Sequence, residues 1–175
     1  MLRGINLGPN RRVPMAELRA LLSGAGYADV ATYVQSGNIV LSSDAAPDAV
    51  AAAVGELISE RFGFEVPVIA RTGEQLAAVL AHDPIEGAAA DPKRYQVTFL
   101  ARAPSREAVQ RLAGLAGDRE RLAVHGRELY SWHPDGIARS KLALRLTAKE
   151  LGVSATARNW KTVSTLAEMA SGPPA

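Results

Sequence analysis

The sequence predicts an α+β fold made of two split βαβ halves in tandem. Three observations carry that prediction. Short β-branched runs alternate with longer stretches whose apolar residues recur at helical spacing. Gly, Pro, Asn and Asp punctuate the joins. The order β-α-β-β-α-β reads twice, on either side of a turn-rich stretch at 82–92.

The elements follow in order. Leu2 to Leu7 reads as the end of a short strand entering a Gly/Pro/Asn turn. Val13-Pro14 opens a helix, with Pro in the first turn where its missing N–H is harmless. Met15, Leu18, Leu21 and Leu22 give that helix its apolar face, and Gly24 or Gly26 ends it. Val30 to Gln35 is a strand, Ser36-Gly37-Asn38 a turn, and Ile39 to Leu41 the returning strand. Pro47 starts a second helix, Gly63 stops it, and Val66 to Ala70 is a further strand. A short helix spans Glu74 to Ala81. The stretch from His82 to Pro92 is the linker. In the second half Tyr95 to Leu100 is a strand, and Ser105 caps a helix. Leu122 to His125 and Glu128 to Trp132 form a hairpin around Gly126-Arg127. Lys141 to Leu151 is a helix ended by Gly152, residues 154–158 close the sheet, and Lys161 to Met169 is a last helix before a frayed SGPPA tail.

The simplest architecture is two ferredoxin-like units, α/β plaits, over 1–82 (with its connecting helix) and 93–170 (with its C-terminal helix). The first strand is short for a central position, which takes about five residues. Either a short strand suffices, or the natural start lies upstream of Met1.

Composition bounds the function. The 175 residues are 47% hydrophobic and 22% charged, a globular balance. Twenty Lys+Arg face 18 Asp+Glu, a net +2, so any basic site must be local. Cysteine is absent, which excludes disulfides and thiolate chemistry and fits a reducing compartment. No run of about 18 apolar residues exists and the N-terminus lacks a signal-type core, so a cytoplasmic protein without a membrane span is expected. His82, His125 and His133 have no metal-ligand spacing, so neither a metal nor a cofactor is expected.

Topology gathers the polar residues. In a split βαβ unit the exit of the first strand and the following hairpin share one sheet edge. That edge would collect Arg3, Asn6, Arg11 and Arg12 with Gln35, Ser36, Gly37 and Asn38, beside the helix start at Pro14. Arginine forks next to glycine-bearing backbone and a helix N-terminus suit a phosphate. In the second half, Arg139, Ser140 and Lys141 would share the opposite edge with Arg158, Asn159, Trp160 and Lys161. A basic patch with an aromatic suits a nucleotide or single-stranded nucleic acid. Equally, such turns are ordinary structural punctuation, and Trp160 is a plausible core anchor. Phosphate-loop, dinucleotide, nucleophile-elbow and zinc-helix motifs are absent.

LRGINLG with RVPMAELR, YVQSGNIVL, SKL and TARNWKTVSTL together resemble the bacterial domain-of-unknown-function family 1697. The resemblance runs through nearly the whole chain. It implies a cytoplasmic protein of two ferredoxin-like halves and brings no reaction. Members usually carry several more residues before LRGIN, and Gly-Gly where this chain has Gly8-Pro9.

The functional expectation is a module binding a phosphate-bearing ligand: a nucleotide, a phosphorylated metabolite or nucleic acid. Its ligand residues would be Arg3, Asn6, Arg12, Ser36, Gly37, Asn38, Ser140, Lys141, Arg158, Asn159 and Trp160. Two alternatives stand beside it. One is an enzyme acting on such a ligand in an interdomain cleft, with Ser36, Ser140 or His133 as weak candidates. The other is an interaction module whose motifs only hold the fold.

Overall fold

The computed structural model describes residues 1–8 and 11–172; Pro9 of the Gly8-Pro9 turn and the last three residues of the tail lie outside them. The fold is α+β and divides into two compact units. One comprises residues 1–74 with the segment from Leu166 onward, the other residues 75–165.

In the first unit, helix α1 (Met15–Gly24) buries Met15, Leu18 and Leu22. Strands β1 (Ala28–Tyr33) and β2 (Asn38–Ser42) form an antiparallel hairpin. Helix α2 (Pro47–Phe62) starts on proline and ends at Gly63, whose left-handed φ of 76° suits glycine. Leu2, Ile5, Val13, Val54 and Ile58 complete the core with the α1 residues.

The strands that should flank this hairpin are much shorter than expected. The strand over Val66–Ala70 reduces to one antiparallel bridge, Leu2 with Val68. Pro67 is the physical reason. It has no N–H to give, and its carbonyl accepts from the Arg3 N–H at 3.1 Å. The Met1 amino group and the Ile69 N–H each reach across to the other residue's carbonyl. The first strand is likewise confined to residues 1–3. Gly4 at φ 68° and Asn6 at φ 55° turn the chain away before Leu7.

The hairpin turn also differs. It opens at Val34, two residues earlier than the Ser-Gly-Asn signal. Gly37 sits against Leu2, and its carbonyl accepts the Leu2 N–H at 2.8 Å. Leu2 therefore has a partner on both sides.

The second unit shows the full pattern. Strand β3 (Tyr95–Leu100) lies between β5 (Glu128–Trp132) and β6 (Ala155–Asn159), with β4 (Arg121–His125) beyond β5. All neighbours are antiparallel. The order β4-β5-β3-β6 is that of a ferredoxin-like sheet. β3 is buried at every position except Gln96, as a central strand requires. Leu100, Leu129 and Ala155 of the sheet pack with Leu112 and Leu151 of the helices. Those helices are α4 (Arg106–Leu115), which Ser105 caps through the Ala108 N–H, α5 (Lys141–Arg145) and α6 (Ala148–Leu151).

The single helix expected over 141–151 is thus broken. Thr147 takes an extended conformation, and its hydroxyl caps α6 through the Glu150 N–H. A threonine that caps competes with helix continuation. Helices α3 (Gly73–His82) and α7 (Trp160–Ala170) complete the chain, the latter beginning one residue earlier than expected. No described helix is long and apolar enough to cross a membrane.

Gly37 generates the first prediction. A Cβ there would lie 2.6 Å from the Leu2 Cβ and 2.9 Å from the Ile5 Cδ1, on a backbone at φ 75°. Overpacking and left-handed strain add, so Gly37→Ala should cost roughly 2–4 kcal/mol of stability in urea unfolding. A loss below about 0.5 kcal/mol, the range of ordinary surface changes, would show that the contact relaxes freely.

Candidate functional site

Asn6 organises the first polar edge. Its side-chain Nδ2 donates to the Val13 carbonyl at 3.1 Å and to the Gln35 carbonyl at 2.9 Å. Its Oδ1 accepts the Val13 N–H at 2.9 Å, and its own N–H donates to Arg11 O. One amide therefore closes the 6–13 loop and ties it to the hairpin turn. The turn is held from within as well. Asn38 is fully buried and donates to Tyr33 O and to the Ser36 hydroxyl. Of the expected ligand residues here, Asn6, Gly37 and Asn38 thus build the edge, with Ser36 accepting inside it.

What the edge displays is different. Arg11 is committed: its guanidinium donates to the Glu65 carbonyl and lies 5.0 Å over the Phe64 ring. Arg12 is exposed and Arg3 half-buried. Among the described residues neither guanidinium has a hydrogen bond or ion pair. Two apolar residues stand out on the same two segments, which the Asn6–Gln35 bond joins. Leu7 is 86% exposed and Val34 is 55% exposed. Val34 also adopts φ 51°. A β-branched residue seldom occupies that region, and the cost is on the order of 1–3 kcal/mol. Sequence inspection gave no sign of it, since the glycine of this turn stands at 37.

The second edge is built as expected from topology. Tyr95 pairs with Trp132 and Gln96 with Asn159, so the start of β3, the end of β5 and the end of β6 share it. Its polar groups are, however, occupied by the protein. The Ser140 hydroxyl caps α5 through the Ala143 N–H at 2.8 Å and donates to the Glu120 carboxylate. That carboxylate also accepts the Leu142 N–H at 3.3 Å and the Gly117 N–H at 2.7 Å. Glu120 is the anion at this helix start, where an external one was expected. Asn159 caps α7 through the Thr162 N–H at 2.8 Å. Trp160 is a core anchor, stacked on Tyr95 with centroids 4.6 Å apart and planes at 14°. Arg158 donates to Thr156 Oγ1 and Ala157 O, and burial pushes its guanidinium down to about 10, still protonated at neutral pH. Lys141 remains exposed.

Glu120, Ser140, His133 and Ser131 form one hydrogen-bonded chain, buried except at the partly exposed Glu120. The single Ser140 hydroxyl proton goes to Glu120, so His133 Nδ1–H donates to Ser140 Oγ (2.7 Å). Its Nε2 then accepts from the Ser131 hydroxyl at 2.9 Å. The residue types are those of nucleophilic catalysis. Yet Ser131 in β5 and His133 just after it are fully buried, so substrate has no access to them and the chain pins α5 to β5. Glu120 carried no sequence signal, because its side-chain partners Ser140 and His133 lie 20 and 13 residues away without periodicity. Among the described residues no cluster of three or more His, Asp or Glu could hold a metal.

Comparison with known proteins adds the lineage. The family described as protein of unknown function (DUF1697) matches residues 1–130. The solved structure of the conserved bacterial protein SP0830 from Streptococcus pneumoniae aligns with a TM-score of 0.75. That alignment covers 97% of this chain and 96% of the other at 22% identity, a likeness of fold. No curated protein matches the chain significantly.

The buried chain predicts a pH dependence. Burial lowers the His133 pKa below 6.5, outweighing the neighbouring Glu120 carboxylate. The unfolded state then binds a proton first as pH falls, so stability present above pH 6.5 is lost below it. Burial raises the Glu120 carboxyl, but hydrogen bonds from Gly117, Ser140 and Leu142 and the nearby imidazole outweigh it and leave the group lowered. Its contribution is present above the ordinary carboxylate value and disappears on further acidification. Urea unfolding of wild type should show stability falling from pH 6.5 downward. In His133→Gln the first part of that fall should vanish, and an unchanged profile would remove His133 from the account.

Proposed function

The chain belongs to the DUF1697 family of proteins of unknown function, and on that footing we propose that its first unit binds a phosphate-bearing ligand on the edge around Arg3, Asn6, Arg12 and Ser36-Gly37-Asn38. The ligand class is a nucleotide, a phosphorylated metabolite or nucleic acid. One observation carries the reading. The amides of this edge are engaged within the protein, whereas the Arg3 and Arg12 guanidinium groups have no partner among the described residues. Arginine offers a planar fork of donors that matches phosphate oxygens.

Two features support it. The Asn6 bonds hold Asn6 and Val13 to each other and to the hairpin turn before any ligand arrives, which lowers the ordering cost of binding. The same loop leads into α1, whose N-cap is Pro14 and whose first turn has no side-chain cap. Those N–H groups favour an anion. Glu17, the acidic residue of that turn, already pairs with Arg61 at 2.8 Å. The second edge, with its internal carboxylate and covered indole, is the weaker place for such a ligand.

The test is a thermal-shift panel of nucleotides, sugar phosphates, inorganic phosphate and short single-stranded DNA and RNA, at low and high salt. A true ligand should raise the melting temperature by about 3–6 °C at roughly ten times its Kd. The rise should disappear in Arg3→Ala/Arg12→Ala, whose own melting temperature should stay near wild type. Steep loss with salt would mark many phosphate contacts and hence nucleic acid. A panel flat for every compound would sink the proposal.

A further inference from the structure

We infer that this edge selects phosphate ligands carrying an apolar or aromatic body beside the charge, and that Val34 reads that body. The inference rests on the phosphate reading above and supplies the other half of the ligand. It starts from strain. Val34 sits at φ 51° in a turn whose carbonyls are held on either side of it. Tyr33 O accepts from Asn38 Nδ2, Gln35 O from Asn6 Nδ2, and Gly37 O from the Leu2 N–H. The turn is over-determined, so the backbone at 34 has no freedom to relax.

Glycine or asparagine would occupy that conformation with less strain. Valine brings a side chain that remains 55% exposed, so packing inside the protein does not account for it. Leu7, at 86% exposure, lies on the loop that Asn6 clasps to this turn. The edge thus offers two apolar side chains and two arginines on segments joined by the Asn6–Gln35, Val13–Asn6 and Leu2–Gly37 hydrogen bonds. A bare ion would use only the arginines. A phosphomonoester with an aromatic body, as in a nucleotide or an aryl phosphate, would use both kinds of group.

The experiment is an NMR titration of the full chain with three probes: methyl phosphate, phenyl phosphate and phenol. Backbone amides of the 3–8 and 34–38 segments report binding. Phenyl phosphate should bind roughly 5–10-fold more tightly than methyl phosphate, the scale of part-burying one aliphatic side chain. Val34→Asn should bring the two close to parity without weakening methyl phosphate. Its melting temperature should hold or rise, because asparagine accepts positive φ, so lost preference would not be lost folding. Arg3→Ala/Arg12→Ala should weaken both phosphates alike.

Equal affinities for both phosphates in wild type would overturn this inference and leave the phosphate reading intact. So would a phenyl preference that survives in Val34→Asn. Phenol binding as tightly as phenyl phosphate would overturn both readings, as would no binding by either phosphate.

Discussion

The close approach of Gly37 to Leu2 is the contact on which the first unit depends. A strand of three residues cannot hold a central place in a sheet by its own pairing. Here Leu2 gives its N–H to the Gly37 carbonyl and bridges Val68 on its other side. The hairpin turn substitutes for the missing strand length. It can do so only because position 37 has no Cβ and tolerates positive φ. The three-residue strand, the hairpin and the closing segment at 67–69 are then one hydrogen-bonded body. The unit keeps the order of a split βαβ half while most of its sheet has shrunk to single bonds.

Much of this fold was legible because local chemistry and tertiary need agree. Pro47 and Gly63 mark α2 because one fits a first turn and the other a left-handed stop. Ser105 marks α4 by capping it. The β3 run YQVTFL has the apolar density of a strand buried on both faces. Where the reading missed, two local rules competed. Val66–Ala70 has strand composition, but Pro67 removes a donor from the ladder. Residues 141–151 have helical periodicity, but Thr147 makes a better cap than a helix interior. Neither outcome follows from periodicity, which does not weigh a single backbone donor.

The candidate site was legible in place and not in role. Topology brings the right loops to one edge, and the Asn6 to Gln35 bond joins them. Amides, hydroxyls and glycines, though, are the residue types that serve turns and ligands equally well. Asn6, Asn38 and Asn159 all have side-chain groups directed to main-chain partners. Trp160, read as a base-stacking platform, is taken up by Tyr95. Such identities cannot announce whether their hydrogen bonds close inward. Only residues with no inward partner, or with a strained conformation, separate display from construction.

That criterion splits two edges that look alike in sequence. Both combine basic residues with the start of a helix. In the second unit the helix start receives Glu120, whose carboxylate accepts from Ser140 and Leu142 there and from the Gly117 N–H. An anion site with its anion built in is electrostatically complete. In the first unit the positive groups of the loop have no carboxylate among the described residues, and Glu17 is turned toward Arg61. Arg3 and Arg12, on either side of the Asn6–Val13 contact, have no carboxylate partner among the described residues, and each would gain from an anion that settles beside it. The unbalanced charge and the strained Val34 fall on connected loops of a single edge. A ligand with both charge and apolar surface would pair the guanidinium groups and cover the exposed side chains together.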